Sequence, residues 1–184
     1  YHSDHANGVP QLLRRLEVGE IALPDVEEDS PLRREILALA EEQGCRVRFI
    51  RSDTTYTLEE GQTVTLYAPL GQGTDTNELG LAVLASAGDA DVLITGDMGG
   101  SAEQLLLEHA ALPGVELLVA GHHGSDTSTT AELLEAVRPK VAVISVGLDN
   151  RYGHPAAGTL ERLSAAGAEI YRTDLYGTVT FRAG

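Results

Sequence analysis

Apolar positions recur along the chain with two different periods, and the switches between them mark out its elements. Near the start, Val9, Leu12, Leu13 and Leu16 stand three and four residues apart, the spacing of one helix face, which predicts a helix from about Asn7 to Leu16. A short strand is predicted at Ile21 to Leu23. Asp29-Ser30-Pro31 then offers a capping side chain followed by proline at the first helical position, where its missing N–H costs nothing. Leu32, Ile36, Leu39 and Ala40 carry that helix to a stop at Gly44. Beyond it, Arg46 to Ile50, Thr55 to Leu58 and Thr63 to Leu66 are β-branched or alternating and read as strands. Glu59-Glu60-Gly61-Gln62 joins the last two as an antiparallel hairpin.

A polar loop from Gln72 to Asn77 precedes two more strands, Leu79 to Ala85 and Asp91 to Thr95, and a helix from Ala102 to Ala111 follows Gly99-Gly100. From there strands and helices alternate. Glu116 to Ala120, Lys140 to Val146 and Glu169 to Arg172 are the strands, Thr129 to Val137 and Thr159 to Ala166 the helices between them, and Thr178 to Phe181 a last strand. Alternating β and α units call for helices covering a sheet, and the hairpins make that sheet mixed, so the fold class is α/β. There is no internal repeat, low-complexity tract or linker, and 184 residues with 42% hydrophobic content suit one domain with at most a small appendage.

Charge narrows the function. The formal balance is −15, from 28 acidic and 13 basic residues, which argues against tight DNA binding by this chain alone. It does not argue against acting on phosphates, because divalent cations held by carboxylates and imidazoles reverse the local sign of a site. No apolar run approaches the roughly 18 to 20 residues needed to span a bilayer, and the start of the chain lacks the order of a signal peptide, so the piece is expected to be soluble, without lipid contact of its own. The lone cysteine, Cys45, is expected to pack as a small apolar residue in a strand, which excludes a disulfide framework.

Five of the six histidines stand at the chain start or in loops that follow strands: His2, His5, His122, His123 and His154. A metal site assembled from strand ends needs that distribution. His2-Ser3-Asp4-His5 places three potential ligands within four residues. Asp97 follows Leu93-Ile94-Thr95-Gly96, just past a buried apolar strand, where a carboxylate is costly unless paired or bound to metal. Gly121-His122-His123-Gly124-Ser125 has the same placement after Leu117 to Ala120. Flanking glycines let the backbone bend and substrate come close, and adjacent side chains diverge, so one imidazole can bind metal while the other meets substrate. In Asn150-Arg151-Tyr152-Gly153-His154-Pro155, Arg151 has the fork geometry for a phosphate, and His154 opens a helix. Asn77, in the loop before the strand that leads to Asp97, can orient a ligand or substrate, or serve as a turn residue. His109 lies on a helix and reads as surface or cap.

With these segments in order, the chain resembles the metallo-β-lactamase superfamily. Tyr1-His2-Ser3-Asp4-His5 matches the first motif, HxHxDH, except for its opening histidine, which would stand before Tyr1, so the chain reads as truncated and lacking the first strands of that fold. More narrowly, LITGD at Leu93 to Asp97, GHHGSDTS at Gly121 to Ser128 and VISVGLDNRYGHP at Val143 to Pro155 resemble the C-terminal domain of ComEC-type competence proteins. The resemblance implies an αβ/βα sandwich and a phosphodiester hydrolase with one or two divalent metals, manganese or zinc. By position, His2, Asp4 and His5 match first-motif ligands, Asp97 the bridging carboxylate and His123 a further ligand. His122 matches the proton donor or phosphate contact, and the two histidines can be exchanged. Asn77 stands where many members of the superfamily carry a ligand histidine. The implied family role is degradation of the DNA strand that is not imported. The implied setting is a soluble domain on the external face of a cytoplasmic-membrane protein, with other domains of the same polypeptide gripping the DNA.

The expected mechanism is a metal-activated water attacking phosphorus, oriented by Asp4, with His122 or His154 protonating the leaving oxygen and Asn77, Ser125 and Arg151 contacting substrate. Two alternatives remain: a small-molecule phosphodiesterase such as a phosphorylcholine-type esterase, and a metal-free binding module.

Overall fold

The computed structural model describes residues 1–59, 61–71 and 75–182, so Glu60 of the expected hairpin turn and Gln72-Gly73-Thr74 of the expected polar loop lie outside the described residues. The chain falls into two compact units, Tyr1–Arg51 and Ser52–Gly184.

The first unit contains helices α1 (Ser3–Ala6), α2 (Val9–Arg15) and α3 (Pro31–Glu42) and strands β1 (Glu20–Pro24) and β2 (Arg46–Ile50). The helix expected from Asn7 to Leu16 is α2, and a further one-turn helix, α1, precedes it across Asn7-Gly8. Periodicity finds the buried face of α2, where Leu13 packs, but it does not register one turn of helix whose residues bury nothing. α3 begins as its sequence dictates: the Ser30 hydroxyl accepts from Arg33 N at 3.2 Å and Pro31 takes the first helical position. It carries the chain from β1 to β2, which pair in parallel. Leu13, Leu23, Ile36, Leu39, Ala40 and Cys45 form this unit's core, with Cys45 immediately before β2.

The second unit is built on a seven-stranded mixed sheet in the order β3 (Thr54–Glu59), β4 (Gln62–Tyr67), β5 (Ala82–Ala87), β6 (Ala90–Ile94), β7 (Leu117–Val119), β8 (Val141–Ile144) and β9 (Glu169–Arg172). The first four are antiparallel neighbours and the last four run parallel, through helices α4 (Gly100–His109), α5 (Ala131–Val137) and α6 (Ala157–Ala165). Leu93, Leu118 and Ala142 stand side by side in register across β6, β7 and β8, and all three are buried with Leu106, Leu133, Val137 and Leu163 of the helices. Each leucine so buried contributes about 1.5–3 kcal/mol by removal from water.

Two strands depart from the sequence expectation. The strand expected from Leu79 to Ala85 begins at Ala82, because residues 76–79 form a turn whose Glu78 is engaged at the start of α4. The final strand expected from Thr178 to Phe181 is absent: a one-turn helix, α7 (Thr173–Tyr176), ends at Gly177 with φ 69°, and the described residues after it join no sheet. Alternation of residue types cannot supply the neighbouring strand that a ladder requires. Among the described residues no helix is long and apolar enough to cross a membrane.

Candidate metal centre and proton-transfer site

The parallel half of the second unit places its loops. Ile94 and Val119 are partners across β6 and β7, so Asp97 and His122, each three residues further on, leave the sheet at the same level. Val143 pairs with Val119, and the chain after β8 carries Ser145 to His154 past that same edge. The carboxyl ends of parallel strands are where open α/β sheets present their ligand sites.

Local conformation then aims the side chains. Gly96, at φ 61°, turns the chain immediately before Asp97, and its carbonyl accepts from His122 N at 2.9 Å. His122 and His123 themselves adopt left-handed backbone, with φ of 49° and 55°. Such conformations cost L-residues on the order of 1–2 kcal/mol each and persist only where the surroundings impose them. Gly124 at φ 82° cannot be replaced freely, since a Cβ there would stand 2.6 Å from that of Pro155.

The result is a carboxylate between two imidazoles. Asp97 Oδ2 lies 3.9 Å from His122 Nε2 and Asp97 Oδ1 lies 3.7 Å from His123 Nε2, and the Asp97 side chain is only 9% exposed. These separations are too long for hydrogen bonds between the groups. His123 Nδ1 stands 2.7 Å from the carbonyl oxygen of Ser145. A carbonyl only accepts, so Nδ1 carries a proton, and in the neutral ring this leaves the lone pair on Nε2, the tautomer a metal-ligating histidine needs. The donors present therefore fit a divalent cation.

His154 completes the group from the loop after β8, with its ring centroid 5.8 Å from that of His122. Burial lowers its pKa below the ordinary imidazole value, and the neighbouring His122 and His123 reinforce the shift while Asp97 opposes it. Asn150 fixes the loop: its Nδ2 donates to the carbonyls of Gly147 and His154 at 3.2 and 2.6 Å, and its Oδ1 accepts from His154 N at 3.0 Å.

The other candidates occupy several places. His2, Asp4 and His5 lie within one turn of chain, His2 capping α1 and Asp4 and His5 inside it, with Ala6 N donating to His2 O at 2.9 Å. Asn77 sits in the turn of residues 76–79, its backbone N–H on Asp75 Oδ1 at 3.0 Å. Ser125 is 7% exposed, and its hydroxyl is shared with Thr127 Oγ1 at 3.0 Å inside the motif loop. Arg151 is exposed, its guanidinium carbon 5.8 Å from the Tyr152 ring centroid. His109, the surface histidine, ends α4 with Nε2 3.1 Å from Asp53 Oδ2.

Sequence reasoning missed three residues: Glu103 and Arg162 hold the loop that carries His122 and His123, and Glu78 caps the start of α4. Glu103 is fully buried, and its carboxylate accepts from Thr129 N at 2.6 Å, Thr130 N at 2.8 Å and Thr130 Oγ1 at 2.7 Å. Burial pushes its pKa up, while those bonds and the charge of Arg162 pull it down. Arg162 donates to the carbonyls of Asp126, Thr129 and Ser128 at 3.0–3.1 Å, gripping the loop from α6. Glu78 accepts from Gly99 N, Ser101 Oγ and Ala102 N at 3.1, 3.0 and 2.9 Å, capping a helix whose own N-cap is glycine. None of the three leaves a local signal in the sequence, since these partners lie 21 to 36 residues away.

A family model described as the metallo-beta-lactamase superfamily matches residues 1–147. The chain belongs to that superfamily. It is 27% identical to ComE operon protein 3 of Bacillus subtilis (strain 168) over 97% of its length, and 38% identical to Competence protein ComA of Neisseria gonorrhoeae over 60%. It spans 23% and 16% of those relatives' own lengths, less than a quarter in each case. Both are competence proteins of the ComEC type, as the motifs had implied.

Among solved structures the superfamily chain is similar to CmlA, a diiron beta-hydroxylase from Streptomyces venezuelae, with a TM-score of 0.59 and 14% identity over 93% of this chain and 42% of that one. It is similar also to the metallo-beta-lactamase fold protein YhfI from Bacillus subtilis, with a TM-score of 0.57 and 13% identity over 94% of this chain and 70% of that one. At such identities the likeness concerns the fold alone, and it bears out the α/β fold of the metallo-β-lactamase type with mixed sheets.

Proposed function

We propose that this chain is a metal-dependent phosphodiesterase that acts as a nuclease on DNA during its uptake. The observation that carries the reading is the buried Asp97 carboxylate between His122 and His123, with His123 Nδ1 held on the Ser145 carbonyl so that Nε2 faces Asp97. Asp97 and His123 are the ligands we propose from the second unit, and His2, Asp4 and His5 are proposed as the first-motif ligands that the family resemblance implies. Imidazole and carboxylate donors without thiolate suit manganese, zinc or iron, and we favour manganese or zinc. One or two such ions supply a Lewis acid that activates water and neutralises charge gathering on a phosphoryl group.

The chain's own groups do the rest. Asp4 orients the attacking water. His122 or His154 meets the leaving oxygen, and the approach of an anionic diester favours the protonated imidazole that proton donation requires. The exposed Arg151 guanidinium meets a phosphate, and Asn77 and Ser125 shape the edges over which substrate passes. The likeness to a competence protein supports DNA as substrate, and the proposal places the domain on the external face of a cytoplasmic-membrane protein, with other domains of a longer polypeptide as partners.

The test is hydrolysis of single-stranded DNA with added manganese or zinc, by the chain and by its Asp97→Asn and His122→Ala variants. Cleavage that chelation abolishes and that each substitution lowers at least 100-fold is expected. Cleavage that survives chelation, or activity on a small phosphodiester with none on DNA, overturns the nuclease reading.

A further inference from the structure

The loop between β8 and α6 carries groups that proton transfer and metal binding leave unused. Tyr152 is 74% exposed in a chain with 4% aromatic residues and no tryptophan, and Leu148 of the same loop is 73% exposed. Neither contributes to a core, yet the loop is tied across itself by the Asn150 amide, and Asp149 sits in left-handed backbone at φ 55°. A loop so tied that displays an aromatic ring to solvent is preorganised for a partner.

The ring also has a direction. Tyr152 stacks on His154 with centroids 6.0 Å apart and an interplanar angle of 17°, and His154 lies 5.8 Å from His122. A line of rings thus runs from exposed surface to the buried Asp97 group in two steps, with the Arg151 guanidinium near its outer end.

Charge decides what such a ring can hold. A polyanion gains affinity from each lysine or arginine that neutralises a phosphate, and a chain of net charge −15 has few to give. Stacking of a base on an aromatic ring needs no net positive charge and tolerates any sequence, and a neighbouring arginine adds to it. It does need a base that is not already paired and stacked.

We propose that Tyr152, with Arg151 beside it, is a stacking platform for an unpaired nucleobase flanking the scissile phosphodiester, so that the site selects single-stranded DNA. The proposal rests on the phosphodiesterase reading for the position of the reacting bond, but the platform can be measured without catalysis.

In the test, the chain, Tyr152→Ala and Tyr152→Phe are titrated in excess chelator with a single-stranded oligonucleotide containing 2-aminopurine, whose fluorescence falls on stacking. The same three proteins, with manganese, are assayed on that oligonucleotide and on methyl p-nitrophenyl phosphate, which has no base. The expected result is a roughly tenfold loss of affinity and loss of quenching in Tyr152→Ala, with Tyr152→Phe restoring both. The ratio of kcat/KM on oligonucleotide to that on the base-free diester should fall by a similar factor, through KM. Wild-type quenching and affinity in Tyr152→Ala overturn the platform, as does failure of the wild-type chain to quench. An equal loss on both diesters overturns it too. Tyr152-dependent quenching in a chain that cleaves neither substrate overturns the phosphodiesterase reading and leaves the platform standing.

Discussion

Glu103 is an acid enclosed by protein that accepts three hydrogen bonds from the loop bearing His122 and His123. Replacing it with glutamine keeps the shape but turns an amide NH2 against backbone donors. Glu103→Gln should lower stability by about 1–3 kcal/mol in a thermal melt. It should also weaken divalent-metal binding roughly tenfold in calorimetry, as changes behind a ligand commonly do. A melt shifted without any change in metal affinity would reduce Glu103 to a packing role. His154 gives a pH prediction. Its pKa in the folded chain is lowered, so the unfolded chain binds the proton more readily, and the stability this confers is present above the ordinary value near 6.5 and lost as pH falls below it. In the metal-free chain an NMR titration should place His154 below 6.5, and His154→Gln should flatten the fall of Tm with acidification. At this scale the sequence pointed to Asp97, His122, His123 and His154 as candidates, because each lies in a loop that follows an apolar strand. It hid Glu78, Glu103 and Arg162, whose bonds span 21 to 36 residues of chain and leave no local pattern.

Elements were legible where burial imposes a period. α3 was readable in advance from its cap, its proline and its apolar face, and β2 and β9 lie on the segments expected for them. Ser30→Ala should cost about 1 kcal/mol, read as a denaturation midpoint, because Arg33 N loses its acceptor. In the second unit Leu118 is fully buried in the middle of the parallel strands, and Leu118→Ala should cost about 2–5 kcal/mol. A loss below 1 kcal/mol would mean that the sheet and helices close over the cavity. Where packing imposes no period, expectation and structure part. The turn at residues 76–79 answers to the start of α4, and the β-like residues from Thr178 to Phe181 pair with no strand among the described residues.

For the whole molecule, the α/β class and the superfamily were readable because their motifs follow one another in order along the chain. The division into two compact units was not, since periodicity reports which face a segment buries and nothing about which segments bury together. Net charge acts at this scale as well. If DNA is held by stacking and bound cations, its affinity in metal-free conditions should depend weakly on salt. We expect a slope of log Kobs against log[salt] shallower than about −2, given roughly −0.7 per phosphate neutralised on single strands. A slope several times steeper would require a basic surface that the composition denies.

The central claim is that this strand-end group exists to hold divalent metal, and equilibrium binding of manganese or zinc by calorimetry tests it most directly. The account predicts that the chain binds one or two ions and that His123→Ala and Asp97→Asn each lose at least one of them while keeping the folded melt. Variants that bind metal as the unaltered chain does would contradict it.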